Sequence, residues 1–181
     1  LFTALKTCGE ASHNVVKCKI SPRIYQMTEI NKKLIVTIPA RLAATRLPNK
    51  PLADIHGRPM IVHVWERVVA AIGSIDQVIV AAGDAEIVDV MQSAGGRVVL
   101  TNPDLPSGSD RVFRAIQEIE KQDGITLEHI INVQGDLPTL APEIVKKTAD
   151  LLQDGSDMAS LVAEIIAVSY KHLTLPTICS V

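Results

Sequence analysis

Positions 34–51 read LIVTIPARLAATRLPNKP, an apolar run followed directly by a loop that carries three cations. The apolar run at 34–38 is predicted to form a buried β-strand. The cations are Arg41, Arg46 and Lys50, and the small side chains between them let backbone N–H groups approach an anion. Prolines stiffen the loop, which lowers the entropic cost of fixing three cations around one ligand. The stretch therefore favours a phosphate-binding loop over the alternative, a solvated basic loop.

Beyond this stretch the chain alternates short β-rich runs with helical patterns. Such alternation is typical of α/β proteins, in which helices cover both faces of a parallel sheet. We therefore predict a Rossmann-like, three-layer α/β/α fold with a mostly parallel sheet. The predicted strands are 34–38, 77–82, 97–101, 130–133 and 158–162, and the predicted helices are 59–72, 85–94, 110–122 and 142–152.

Helix boundaries are predicted from residue types that commonly begin and end helices. Pro59 and Pro142 suit the first turn of a helix, where a missing N–H costs nothing. Asp84 and Ser109 are predicted N-caps, and Gly73 is predicted to end the first helix.

The loops after the first and fourth predicted strands carry the strongest site candidates. In open doubly wound sheets, ligands bind beyond the carboxyl ends of the strands where the strand order reverses. If these two strands are neighbours, Asp136 faces the cations of loop 40–50 across one crevice. A triphosphate held by those cations needs a hard oxygen ligand for Mg²⁺, and Asp136 on the tight Gly135 turn provides one. The alternative role for Asp136 is a turn-forming or helix-capping aspartate.

Two further segments are candidates for ligand contacts. Ser107 and Gly108 form a turn into a helix whose free N–H groups can contact a base edge or an anion, and a plain capped turn is the alternative. Gln134 ends a strand, and its amide can bond a ligand hydroxyl or nearby backbone. Neither the glycine-rich dinucleotide motif nor a P-loop motif occurs. A phospho-acceptor receiver domain would need acidic residues at the end of the first strand. This chain has Arg41 there, which disfavours that class of protein.

Four sequence blocks follow one another along the chain: PARLAATRLPNKPL at 39–52, ADIHGRPMI at 53–61, SGSDR at 107–111 and NVQGDLP at 132–138. Together they resemble the sugar cytidylyltransferases, and most closely the family of 3-deoxy-manno-octulosonate (Kdo) cytidylyltransferases. The chain departs from the pattern at three places. Ala44 stands where many members have Ser, Ala82-Gly83 where a Thr-Asp pair is common, and Leu137 where Glu is frequent.

The resemblance implies a nucleotidyltransferase fold and transfer of a cytidylyl group from CTP to Kdo, giving CMP-Kdo and pyrophosphate for lipopolysaccharide biosynthesis. It also implies Mg²⁺ as the cofactor and a homodimer for the full-length protein. An inactive CTP-binding fragment, or an enzyme acting on another sugar acid such as a sialic acid, is the alternative. The expected site residues are Arg41, Arg46, Lys50 and Asp136 for catalysis; Pro39, Ala40, Arg41, Arg46, Lys50, Ser107 and Gly108 for nucleotide binding; Gln134 for substrate binding; and Asp136 for the metal.

Composition restricts the partners of the chain. It has 181 residues, a net charge of −2 and only 3% aromatic residues, so no nucleic-acid-binding surface is predicted. No apolar segment approaches the length of a membrane span, and no secretory signal is recognisable, which predicts a cytoplasmic protein without a membrane partner. The three cysteines lie in the two end segments without a Cys-x-x-Cys pair, so no thiol nucleophile, zinc site or disulfide framework is predicted.

The two end segments differ from the middle of the chain. Residues 1–26 lack a sustained helical or strand period and precede Met27, so we interpret them as a non-native or disordered leader. Residues 27–168 are predicted to be the N-terminal portion of the nucleotidyltransferase domain. Residues 169–181 are interpreted as a non-native tail, which leaves the C-terminal part of the fold missing. Within the domain, Trp65 and Phe113 fall in apolar helical stripes and are predicted core residues.

Overall fold

The structure is a computed structural model that describes residues 2–6, 33–43, 47–153 and 158–161. The strands are β1 (Phe2–Lys6), β2 (Leu34–Ala40), β3 (Asp54–Ile55), β4 (Arg58–Pro59), β5 (Val78–Ala82), β6 (Arg97–Leu100), β7 (His129–Asn132) and β8 (Met158–Leu161). The α-helices are α1 (Met60–Ile72), α2 (Ala85–Ser93), α3 (Gly108–Asp123) and α4 (Pro142–Gln153), and Lys50–Leu52 forms a 3-10 turn. None of these described helices is long and apolar enough to cross a membrane.

Six strands form one sheet in the order β6-β5-β2-β7-β1-β8. β2 pairs in parallel with both β5 and β7, and β5 pairs in parallel with β6. β1 is antiparallel to its two neighbours, β7 and β8, while β3 and β4 form a separate hairpin. The strand order therefore reverses at β2, as in doubly wound sheets. The prediction of a mostly parallel sheet is confirmed.

Helices cover both faces of this sheet. Leu34, Val36 and Ile38 of β2 pack on one face with apolar residues of α1, α2 and α4. Ile35 belongs to the opposite face, where it packs with apolar residues of α3. Because successive side chains of a strand point to opposite faces, a nearly continuous apolar run is what a strand between two helical layers requires. The predicted α/β/α layering is confirmed.

The helix boundaries agree with the predictions to within one residue except at α3; Pro59, predicted to begin the first helix, is the N-cap of α1. α1 ends at Gly73, which has a φ of 78°, and α4 begins at Pro142. The N-cap of α3 is Ser107, so the prediction of Ser109 was wrong. The Ser107 hydroxyl accepts the N–H of Asp110 at 3.1 Å and donates to the Asp110 carboxylate at 2.6 Å. The bond from the Asp110 N–H is the usual N-cap bond, which makes Ser107 the cap of α3.

β1 lies within the segment 1–26, for which the sequence predicts no strand. Its backbone lies between β7 and β8, with Thr3 opposite both Asn132 and Ser160. A five-residue strand is too short to show a clear alternation of side chains. Its partners β7 and β8 lie far along the chain, so no local pattern indicates the pairing. The boundaries at residues 27 and 169 stay predictions. Residues 7–32 and 162–181, which include the cysteines, lie outside the described residues.

The two aromatic residues predicted to be in the core differ in burial. Trp65 of α1 is 6% exposed, as predicted, whereas Phe113 of α3 is 61% exposed. The core prediction was therefore wrong for Phe113. α3 turns Val112 and Ala115 toward the sheet, and Phe113 falls on the solvent side of this stripe.

Candidate functional site

The carboxyl ends of β2 and β7 meet at one edge of the sheet. The strands pair in register up to Thr37 opposite Asn132, and Val133 N donates to Thr37 O at 2.9 Å just beyond. The chain segments that directly follow β2 and β7 therefore leave the sheet side by side. This confirms that the first and fourth predicted strands are neighbours, at the point of strand reversal where α/β proteins bind ligands.

Lys50 and Asp136 join these two loops directly. Nζ of Lys50 donates to Oδ2 of Asp136 at 2.8 Å. The Lys50 backbone begins a 3-10 turn that contains the buried Pro51. Because the two side chains are 38% and 49% exposed, this ion pair contributes little to stability. Its importance is its position, since a cation and a carboxylate from different loops converge at one solvent-accessible point.

Gly135 allows the loop after β7 to approach the end of β2. A Cβ atom at this position would lie 2.8 Å from the backbone oxygen of Pro39. Backbone atoms cannot yield as the end of a flexible side chain can, so a side chain here would push the loop after β7 away from β2. Glycine thus brings Asp136 next to the end of β2.

The first turn of α3 lies against the same strand end. A Cβ atom on Gly108 would be 3.7 Å from Cγ of Pro39, an ordinary van der Waals distance. Ser107 and Gly108 are both exposed. The helix N-terminus and the loop after β2 therefore border one accessible surface, as a nucleotide site would require.

The remaining predicted site residues are placed unevenly. Arg41 is exposed at the start of loop 40–50, and Ala40 is buried at the end of β2. Gln134 is half-buried in the second loop. Arg46 lies outside the described residues, so its place among the cations stays a prediction. The ligand-binding and catalytic roles of all these residues also stay predictions.

A buried arginine lies close to the site. Arg111, in the first turn of α3, is only 2% exposed. Its guanidinium donates to the segment after β6: to Thr101 Oγ1 at 2.5 Å, Asn102 O at 3.1 Å and Pro103 O at 3.2 Å. Burial lowers the pKa of Arg111 from its ordinary value, the Asp84 carboxylate opposes that change, and the charge of Arg41 adds to it. The charges of Asp84 and Arg41 therefore both act on the buried guanidinium of Arg111.

The contacts of Asp84 and Arg111 near the site were not predicted from the sequence. Asp84 has the predicted N-cap position, but its side chain accepts the N–H of Leu42 at 2.8 Å instead of capping α2. Arg111 was noticed only as part of the SGSDR block. One available signal was its spacing, because Arg111 lies four residues before Ala115 and shares the buried stripe of α3.

Asp136 fits a divalent cation that is shared with a phosphate ligand. Its carboxylate offers the hard oxygen donors that Mg²⁺ prefers, and Lys50 now neutralises its charge. Among the described residues, no group of three or more His, Cys, Asp or Glu could hold a metal ion. Magnesium commonly uses one or two carboxylates together with substrate phosphates and water. The residues present therefore suit a metal bound together with a nucleotide.

Comparison with known proteins gives consistent matches. A family model described as cytidylyltransferase matches residues 35–173. The 3-deoxy-manno-octulosonate cytidylyltransferase of Paramagnetospirillum magneticum is 52% identical over 132 residues, covering 72% of this chain and 52% of that protein. The protein of the same name from Rhodospirillum centenum is 51% identical over 146 residues, covering 80% of this chain and 55% of that protein. The chain thus spans about half the length of the curated relatives it matches.

Solved structures show the same fold. A CMP:2-keto-3-deoxy-manno-octonic acid synthetase complexed with CTP aligns with a TM-score of 0.57 and 35% identity, covering 68% of this chain and 48% of that chain. A cytidylyltransferase from Leptospira borgpetersenii aligns with a TM-score of 0.55 over 67% of this chain and 49% of its own. At 21% identity, this second likeness shows the fold alone.

Proposed function

Because the chain belongs to the cytidylyltransferase family, we propose that the whole protein transfers a cytidylyl group from CTP to the sugar acid Kdo. The products are pyrophosphate and CMP-Kdo, an activated sugar for lipopolysaccharide biosynthesis. This proposal is supported by relatives at 52% and 51% identity that bear the name 3-deoxy-manno-octulosonate cytidylyltransferase. It is also supported by the 35% identical structure, which is complexed with CTP.

One structural observation carries the proposal: Nζ of Lys50 lies 2.8 Å from Oδ2 of Asp136, where the loops after β2 and β7 come together. Nucleotidyl transfer needs cations for the phosphates and a carboxylate for the metal at the same place. A basic loop alone would suit many anions, and a lone aspartate would suit a turn. Their convergence favours a bound metal–triphosphate complex over either separate role.

In this proposal, Arg41, Arg46 and Lys50 hold the phosphates of CTP. Arginine forks bind phosphate oxygens in pairs, whereas lysine acts as a compact point charge. Lys50 exchanges its carboxylate partner for a phosphate oxygen when the nucleotide arrives. Pro39 and Ala40, at the end of β2, supply backbone beside the nucleotide, and Ser107 and Gly108 line it from the first turn of α3.

Asp136 is the residue that would hold Mg²⁺. When bound there, the ion would neutralise phosphate charge and polarise the phosphoryl group under attack. Asp136 reaches this position because Gly135 lets its loop lie against Pro39. The departure of Lys50 toward the phosphates leaves the carboxylate oxygens available, so nucleotide and metal are expected to bind together.

The transfer itself needs no covalent intermediate with the protein. A hydroxyl oxygen of Kdo forms a bond to the α-phosphorus while the bond from that phosphorus to the β-phosphate oxygen breaks. Pyrophosphate leaves with the electron pair, and the hydroxyl proton passes to water. The residues of the chain bind and orient the reactants, with Gln134 placed to bond a substrate hydroxyl. Positioning and charge neutralisation therefore carry the rate.

The proposal is tested by product formation with the whole protein. Pyrophosphate release is measured with CTP, Mg²⁺ and Kdo, and in parallel with N-acetylneuraminic acid in place of Kdo. We expect CMP-Kdo and pyrophosphate in equal amounts, and release at least about tenfold slower with the sialic acid, since a pocket built for one acceptor loses binding energy with another. Release with the sialic acid alone, or with neither acceptor, would contradict the proposal.

We further propose that the whole protein works in the cytoplasm, where CTP is made, and that it forms a homodimer, as the family resemblance implies. Cell fractionation tests the location. Analytical ultracentrifugation tests the assembly, and a monomer at working concentrations would contradict the dimer.

A further inference from the structure

Asp84 turns its carboxylate away from the helix that it precedes. It has the extended backbone of an N-cap, with φ −135° and ψ 142°, yet its side chain makes no capping hydrogen bond to α2. Its Oδ2 atom instead accepts the backbone N–H of Leu42 at 2.8 Å. An N-cap aspartate ordinarily accepts from the second or third N–H of its own helix, which stabilises that helix. Here the side chain forms its hydrogen bond with the segment after β2 instead.

A neighbouring hydrogen bond strengthens this connection. The N–H of Gly83 donates to the backbone oxygen of Ala40 at 2.9 Å. Ala40 and Leu42 flank Arg41, so the backbone on both sides of Arg41 is attached to the turn between β5 and α2. The Arg41 residue itself is exposed. Its backbone is fixed while its side chain faces the solvent from which a ligand arrives.

The same turn lies against Arg111. A Cβ atom on Gly83 would be 2.6 Å from Nη1 of Arg111, so glycine provides the space that the guanidinium occupies. Asp84 interacts favourably with the charge of Arg111, whereas Arg41 interacts unfavourably with it. The Asp84 carboxylate therefore opposes the effect that the charge of Arg41 has on the buried Arg111 guanidinium.

We propose that Asp84 is a positioning residue for the start of loop 40–50: its carboxylate accepts the Leu42 N–H and thereby holds Arg41 where a triphosphate binds. The proposal rests on the proposed function for the identity of the ligand. A loop that is ordered before the ligand arrives loses less conformational entropy on binding. Asp84 acts through the loop and not on the nucleotide, since a carboxylate in contact with phosphates would repel them.

Three variants separate the hydrogen bond from the charge. Asp84→Ala removes both, whereas Asp84→Asn keeps an oxygen that can accept the Leu42 N–H. Glu86→Ala is the matched control, because Glu86 is an exposed acid in the first turn of the same helix. Two quantities are measured on each folded chain: the hydrogen-exchange rate of the Leu42 amide without ligand, by NMR, and the affinity for CTP with Mg²⁺, by calorimetry.

Asp84→Ala is expected to speed Leu42 exchange at least about tenfold and to weaken CTP binding about tenfold, as loss of one charge-assisted hydrogen bond predicts. Asp84→Asn is expected to keep slow exchange and to restore the affinity to within about threefold of the wild type, because the acceptor remains. Glu86→Ala is expected to match the wild type in both measurements. Unchanged Leu42 exchange, or unchanged affinity, in a folded Asp84→Ala chain would overturn the proposal.

A fourth variant covers the case in which Asp84→Ala unfolds because Arg111 loses its counter-charge. Asp84→Glu keeps the charge but moves the carboxylate by one methylene, so it is expected to fold, to expose the Leu42 amide and to weaken CTP binding. A folded Asp84→Glu chain with wild-type values for both would overturn the proposal. Failure of the wild type to bind CTP would instead count against the proposed function. In that case, the exchange rate of the Leu42 amide would still test whether Asp84 holds the backbone at Leu42.

Discussion

At the scale of single residues, the Lys50–Asp136 ion pair brings together the two charges that a metal–nucleotide complex would need. An exposed pair of this kind costs little to break. Each partner also has a stronger partner to move to, since Lys50 can pair with phosphate and Asp136 with a divalent cation. The pair is therefore well suited to separate when a nucleotide and a metal bind.

Replacing Lys50 with Met tests the phosphate role of this cation. The substitution keeps a long apolar stem but removes the charge, so CTP binding should weaken by about 1.5–3 kcal/mol, the usual range for hydrogen bonds to charged groups. The binding that remains should also depend less on salt, because one screened charge–charge interaction has gone. Calorimetric titration at two salt concentrations measures both effects.

The matched control is Lys147→Met, which removes an exposed lysine from α4, outside loops 40–50 and 134–138. It should leave CTP affinity and its salt dependence unchanged. Equal effects of the two substitutions would show that Lys50 acts only through net charge.

Replacing Asp136 with Asn tests the proposed metal ligand. The side chain keeps its size and turn preference but loses the charge that would hold Mg²⁺. Turnover by the whole protein should fall by about a hundredfold or more, since metal assistance is worth several kcal/mol of transition-state stabilisation. Circular dichroism should show an intact fold. Asp89→Asn, which changes an exposed aspartate on α2, serves as the control. Near-normal turnover by Asp136→Asn at saturating Mg²⁺ would reduce Asp136 to a turn residue.

At the scale of secondary-structure elements, the start of α3 shows how one cap fixes a site wall. Ser107 bonds Asp110 through both backbone and side chain, and the helix therefore begins at Gly108, against Pro39. A start at Ser109 would have removed Gly108 from the helix. The sequence contains both serines, and only the pairing with Asp110 decides between them.

The cap is tested by a pair of alanine substitutions. Ser107→Ala should lower the free energy of unfolding by about 1 kcal/mol, the typical value for a lost N-cap. Ser109→Ala should change it by less than about 0.5 kcal/mol, as expected for an exposed position without a special role. Urea unfolding of the two variants measures the difference, and a larger loss for Ser109→Ala would reinstate the original prediction.

The contact between loop 134–138 and the end of β2 is tested at Gly135. Gly135→Ala places a Cβ atom 2.8 Å from Pro39 O, so the second loop must move away from β2. The free energy of unfolding should fall by about 1–3 kcal/mol, as for other overpacked sites, and CTP binding should weaken with it. Gly108→Ala is the control for stability, because its Cβ atom would lie at an ordinary 3.7 Å from Pro39 Cγ. Equal stability of both variants would mean that loop 134–138 does not contact the end of β2.

At the scale of the whole molecule, the parts of the fold that follow local patterns were predictable. The apolar run at 34–38 forms β2, and Gly73 and Pro142 mark helix ends, because each depends on neighbouring residues. The convergence of the two loops also followed, since a general rule places ligands at the strand reversal.

Other features depend on contacts between distant residues and could not be read locally. β1 forms only with β7 and β8 as partners. Asp84 accepts the N–H of Leu42 instead of an N–H of its own helix. The buried Arg111 needs acceptors after β6 and the space beside Gly83. The chain also spans only about half the length of its curated relatives.

The most direct test of the central claim, that loops 40–50 and 134–138 form one site for CTP with Mg²⁺, is calorimetric titration of the whole protein with CTP, UTP, ATP and GTP. The four sequence blocks and the family match both favour cytidine. CTP should therefore bind at least about tenfold more tightly than ATP or GTP, a difference of about 1.4 kcal/mol. Equal affinity for ATP, or no CTP binding by a demonstrably folded protein, would contradict the claim.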